Sequence, residues 1–235
     1  MRYSSDEVDG THFGNTNTGE SAAVFGEANN NSANRALLAG KLNNNSGANA
    51  IVGGLRNTVK ANHGITSGSV NTVEVTAIRS VTAGYNNTNS GEDSIQTGTS
   101  NENYGIGSAE FGSLNINRGH YSALIGSQNI NRGNYSALIG ACLRNEQQNE
   151  DGTYNTKVIV GKWNEDKLEN VFEVGNGTSN AERSNAFEVL RDGRAKVYGN
   201  LTLESEPTED RHAATIKWIE DRLSTIDSYF FNSLY

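Results

Sequence analysis

Residues 121–140 read YSALIGSQNINRGNYSALIG. A hexapeptide ends in glycine, eight mostly polar residues follow, and the hexapeptide returns. Outward from this stretch the glycine recurs at 14, 26, 40, 54, 68, 84, 98 and 112 on one side and at 161 and 175 on the other, mostly in steps of 14. A short apolar run precedes nearly every one, as in SAAVFG, RALLAG, KVIVG and VFEVG. A fixed period this short marks a stacked solenoid, in which each rung buries itself only against its neighbours.

With each anchor glycine counted as position 0, positions −3 and −1 pair a large residue with a small one in most rungs: Leu37/Ala39, Ile51/Gly53, Ala109/Phe111, Ala123/Ile125. Such volume compensation suits a thin, close-packed interior. Alternation of this kind reads as a strand buried on one face. Position −2 accepts Val24, Thr66, Gln96, Glu110 and Glu173, and is expected to face outward. Position +3 is Asn in nine successive rungs, from Asn17 and Asn29 to Asn129. Asn tolerates left-handed backbone at a tight corner, and stacked copies can bond as a ladder. A second glycine often lies seven residues before the anchor, as at Gly47, Gly91, Gly105 and Gly119. Two corners per rung imply two short strands joined by two turns. Some twelve rungs at ~4.8 Å each make a rod about 55 Å long.

Two steps are longer. Gly68 to Gly84 carries two extra residues, and Gly140 to Gly161 carries seven, near the polar stretch NEQQNEDGTYNTK at 145–157. Insertions in solenoids map to loops on one face, often the binding face.

Composition narrows the function. Hydrophobic residues make up 34% of the chain, so the core is narrow and partners are expected to complete it. The partly apolar −2 row, taken as outward, would be covered by symmetry copies. A net charge of −8 speaks against a nucleic-acid surface. The single cysteine, Cys142, excludes an intrachain disulfide. The acidic start MRYSSDEVDG shows no signal peptide, and no apolar stretch is long enough to insert in a membrane. No Asp occurs between Asp9 and Asp93, which rules out a calcium-binding nonapeptide repeat. His12, His63, His120 and His212 share no metal-ligand spacing, and no nucleophile elbow, phosphate loop or Cys–His pair appears. No catalytic, cofactor or metal residue is assigned, and the expected work is binding and scaffolding, not catalysis.

The candidate receptor contacts are aromatic and cationic. Tyr121 and Tyr135 stand one rung apart beside Arg118 and Arg132. Such a strip could hold a sugar ring or an acidic sugar, and equally could be a ladder of like residues that packs neighbouring rungs. Tyr154 and Trp163 flank the long insertion and are the better surface candidates.

The last third differs. Residues 185–190 and 194–198 flank Arg191-Asp192-Gly193, a hairpin signal. Thr208 follows Pro207 as an N-cap, with Glu209 and Asp210 in the first turn. Ile216, Ile219, Leu223, Ile226 and Phe230 are spaced 3, 4, 3, 4, a short coiled-coil seam whose isoleucines favour trimers. The chain therefore divides into a lead-in at 1–11, a roll at 12–178, a strand segment at 179–205 and a helix at 206–235.

The stretch 121–140 is similar to the 14-residue head repeat of the YadA-like trimeric adhesins, whose rungs read roughly S-V-A-I-G, a short polar turn and a second glycine. The likeness covers residues 12–175. The same rung type occurs in phage tail fibres and receptor-binding proteins. EPTEDRHAATIKWIEDRL at 206–223 resembles their P-T-x-D-x-x-A-A-T-K-x-Y-V-D element, with Pro207, Thr208, Asp210, Ala213, Ala214, Thr215 and Lys217 matching. The adhesin neck, of D-A-V-N-V-A-Q-L type, and a C-terminal membrane barrel are both missing, which turns the resemblance toward a phage tail fibre. It implies an all-β homotrimer of left-handed parallel β-rolls with a trimeric coiled coil. It implies a place in the virion, other tail or baseplate proteins as partners, and a host cell-surface glycan or protein as receptor. The head of a bacterial surface adhesin and a fibre-borne glycan depolymerase stay open as alternatives.

Overall fold

The computed structural model describes residues 2–4, 7–8, 11–12, 14–202, 219–220 and 222–224. The chain divides into two compact units, Met1–Tyr198 and Gly199–Tyr235. The first is a β-solenoid of about twelve turns. Each regular rung gives one strand of five or six residues to a fourteen-stranded sheet and one two-residue strand to a ten-stranded sheet. Neighbouring rungs pair in parallel without slip: Leu38 lies beside Val52, and Gly40 beside Gly54. Every rung thus places a given repeat position directly over its copy.

The anchor glycines are fixed by two demands at once. Gly112 has φ +125, a region closed to L side chains. A Cβ there would also overlap the carbonyl oxygen of Gly126 in the next rung. The second glycines answer only the steric demand. Gly47 has no positive φ, but a Cβ on it would strike the carbonyl of Ala61.

Asparagines hold the interior of the turn. Asn101 is representative: its backbone N–H and its Nδ2 both donate to Asn87 Oδ1 at 3.1 Å. Its Nδ2 also reaches the carbonyls of Thr97 at 3.1 Å and Gly112 at 3.0 Å. Its Oδ1 receives the same pair of bonds from Asn115. The row starts at Asn15, which accepts from Asn29 N–H at 3.0 Å, and ends at Leu143, whose N–H donates to Asn129 Oδ1. The sequence placed Asn17 in this row. The shorter first step instead puts Asn17 in a second ladder, where Asn31 Nδ2 donates to Asn17 Oδ1 and Asn45 Nδ2 to Asn31 Oδ1, both at 2.9 Å. That ladder resumes from Asn89 to Asn145 after Val59 and Val73. The left-handed corner residue is not Asn but its predecessor, as in Leu42, Arg56 and Val70 at φ 55–60. Its N–H is held by the rung before, as when Arg56 donates to the Lys41 carbonyl at 2.9 Å.

The expected facing of the long strands is reversed. Position −2 is the interior: Val24, Leu38, Val52, Leu124, Leu138 and Ile159 have essentially no exposure, and neither do Thr66, Thr82, Gln96, Glu110 and Glu173. Positions −3 and −1 face outward, with Ile51 49%, Ile95 44% and Ile139 46% exposed. Both parities carry apolar residues, so alternation alone could not say which was inside. The core consists of an N-terminal apolar cluster from Ala22 to Ala77 and a C-terminal one of Leu124, Leu138, Leu143 and Ile159. Between them the −2 row is polar.

The long insertion folds back on itself, with Gln148 bridged to Tyr154 and Asn149 N–H bonded to the Thr153 carbonyl. The roll then closes with antiparallel strands. Asn170–Asn176 pairs with Asn185–Leu190, which pairs with Ala195–Val197 across the Asp192-Gly193 turn. Of the second unit, residues 219–220 and 222–224 are helical, and Ile219 and Leu223 are exposed. Ile216, Ile226 and Phe230, the rest of the expected seam, lie outside the described residues.

Candidate functional site

Both insertions widen the same corner of the rung, the one that follows the short strand. The first brings out Val75, which is 65% exposed, with Ala77 N–H bonded to the Glu74 carbonyl. The second brings out Thr153 and Tyr154. Between them runs a groove in two joined recesses. One, of about 580 Å³, is lined chiefly by Val75, Ile78, Tyr104, Ile106 and His120. The other, of about 300 Å³, is lined by Arg118, His120, Arg132, Asn134, Thr153 and Tyr154. His120 belongs to both, and its Nδ1 accepts the Ile106 N–H at 3.0 Å. Five rung steps at ~4.8 Å make the groove about 25 Å long.

The repeat register builds its chemistry. Tyr104, Arg118 and Arg132 occupy one position in three successive rungs, so stacking sets an aromatic ring and two guanidinium groups in line. Arg118 lies over the Tyr104 ring at 5.3 Å, and Arg132 over the Tyr154 ring at 5.9 Å, cation–π distances. Among the described residues no carboxylate pairs with Arg118. Arg132 reaches Glu146 at 3.4 Å, a carboxylate that Arg144 also approaches at 3.6 Å. Two arginines to one carboxylate leave this end positive on a chain of charge −8. At the other end Glu92 is taken up by Arg79 at 2.6 Å, which leaves that end mainly apolar. Burial, with help from neighbouring Glu102, pushes the Tyr104 phenol up, so it stays a neutral donor.

The sequence candidates separate. Arg118, Arg132 and Tyr154 come together in the groove. Tyr121 and Tyr135 do not meet the arginines beside them in sequence: they stack on each other, centroids 5.3 Å apart and planes within 11°. Trp163 lies on the opposite corner, where Arg183 covers its ring at 5.1 Å and donates to the carbonyls of Cys142 and Asn164. There it lines a separate recess with Leu114, Ile116 and Ile130. Tyr104 was missed; its place one rung ahead of Arg118 in the same repeat position was the signal. Among the described residues no group of His, Cys, Asp and Glu is placed to hold a metal ion, and no helix is long and apolar enough to cross a membrane.

Comparison with protein-family models gives no match, and comparison with curated proteins gives none either.

Proposed function

We propose that this chain is a structural and adhesive segment of a trimeric fibre, of the phage tail-fibre type, that binds a host cell-surface glycan. The observation that carries the proposal is the outward apolar surface of the fourteen-stranded sheet. Phe25, Leu37, Ile51, Ile65, Ile95, Phe111, Ile125 and Ile139 are each exposed by 40% or more, and the parallel register stacks Leu37, Ile51, Ile65, Val81 and Ile95 in one row and Phe111, Ile125 and Ile139 in the row beside it. A monomeric protein seldom leaves so long an apolar strip in water. Three left-handed rolls packed on these rows would cover it and leave the grooved corners outward. Tyrosine faces suit sugar rings, and an unneutralised Arg118 suits an acidic sugar. Three weak sites on one rod would act together.

Light scattering coupled to size exclusion tests the assembly. A mass of three chains is the expected result, and a monomer would sink the proposal. Binding to host envelope glycan tests the site. Arg118→Ala with Tyr104→Ala is expected to weaken it by tenfold or more, with the trimer intact.

A further inference from the structure

Lys157 is the largest fully buried side chain among the described residues. Its Nζ touches Asp166 Oδ1 and lies 2.6 Å from the Lys167 carbonyl and 3.2 Å from Glu173 Oε1. Asp166 is held from its other side: Oδ2 accepts the backbone N–H of Glu146 at 2.6 Å and of Gln147 at 2.9 Å. Glu173 has no exposure, and its Oε2 accepts the Asn164 amide. Burial raises the Glu173 carboxyl above its ordinary range, although Lys157 and Asn164 oppose the shift.

These are the parts that amide formation requires. An amine is pressed against a carboxyl group, so the reaction is intramolecular and oriented. Two N–H donors already sit on the oxygen that would carry negative charge in a tetrahedral intermediate. A second carboxyl group, that of Glu173, touches the amine and can carry protons. Lys157 and Glu173 have no exposure, and the Asp166 side chain has 8%, so bulk water, which would drive hydrolysis, is largely kept out.

We propose that Lys157 and Asp166 join through an intramolecular isopeptide bond, with Glu173 as the proton carrier. The nitrogen lone pair attacks Cγ of Asp166, and Oδ2 becomes the oxyanion under the Glu146 and Gln147 N–H groups. The Lys157 ammonium starts with three protons and the amide keeps one. Glu173 passes the other two in turn to Oδ1, which leaves as water, and ends as it began. The C–O bond breaks, the C–N bond forms, and nothing is oxidised or reduced. The product replaces a buried ion pair, costly to desolvate, by a neutral amide. It ties the loop ahead of the closing strands to the last regular rung. The inference does not depend on the fibre reading.

Intact mass of the freshly purified, denatured full chain decides it. The expected mass is one water below that of the sequence, with a tryptic product in which the Lys157 and Asp166 peptides are joined and no cleavage follows Lys157. Glu173→Gln and Asp166→Ala are each expected to restore the full sequence mass. A wild-type chain at full sequence mass overturns the proposal, whatever the variants do. So does a water loss that fragmentation places at other residues.

Discussion

At the scale of single residues, the stacked register gives each position one neighbour it cannot avoid. Gly112→Ala would need the left-handed region and also drive a methyl into the Gly126 carbonyl. The expected loss is about 3 kcal/mol or more, seen as a fall in melting temperature; an unchanged transition would contradict the close approach of the rungs. Glu110 makes a different prediction. It has no exposure, accepts Gln96 Nε2 at 2.9 Å, and keeps Oε1 without a hydrogen-bond partner. Burial pushes its carboxyl up to about 8 from an ordinary 4.5, against the smaller pull of Gln96. The folded chain therefore holds a proton that the unfolded chain releases between those values. Stability from this group is fully present below pH 4.5, falls as pH rises, and levels off above about 8. Glu110→Gln removes the titration. It should gain on the order of 3 kcal/mol at pH 7 and little at pH 4.5, since the other carboxylates are common to both chains. Melting curves of the two chains at both pH values make the comparison; an equal difference at both would refute the buried titration.

At the scale of the element, each rung is short and its stability lies in the ladders. Asn101→Ala removes bonds to Asn87, Thr97 and Gly112 and strips Asn115 of its acceptor. Leaving buried partners unpaired should cost about 3 kcal/mol, whereas Leu143→Ala, at the end of the row, should cost a cavity alone. Amide exchange should show the difference: opening rungs on both sides of Asn101 for the first variant, and only the last rungs for the second. Much of this element was legible in the sequence. The period, the anchor glycines and the first asparagine ladder follow from strict spacing, and the Asp192-Gly193 turn marks the closing hairpin. The parity of the long strand was not legible. In YSALIG the residues Ala137, Leu138 and Ile139 are all apolar, and Gln96, Glu110 and Glu173 at the inner position read as solvent-facing. The second ladder was hidden because Val59 and Val73 interrupt it. The groove was half legible: the insertions pointed to a binding face, but Arg118 pairs with Tyr104 across a rung, a contact that only the register reveals.

At the scale of the whole molecule, the reversed parity separates folding from assembly in two adjacent residues. Leu124 is fully buried inside the rung, and Ile125 is 43% exposed on the apolar sheet surface. Leu124→Asp places a charge in the C-terminal core and should abolish cooperative folding, because an unpaired buried carboxylate costs several kcal/mol. Ile125→Asp with Ile95→Asp places charges on the outer rows. A monomer should tolerate them, with its spectrum and local exchange unchanged. A trimer packed through those rows should not, because each burial worth about 1 kcal/mol per half-exposed isoleucine becomes a buried charge repeated three times around the axis. The expected outcome is a well-folded chain whose mass by light scattering falls to one third of the parent's. A double variant that stays trimeric would move the interface to another surface, and one that unfolds would mean the rung cannot stand without its partners.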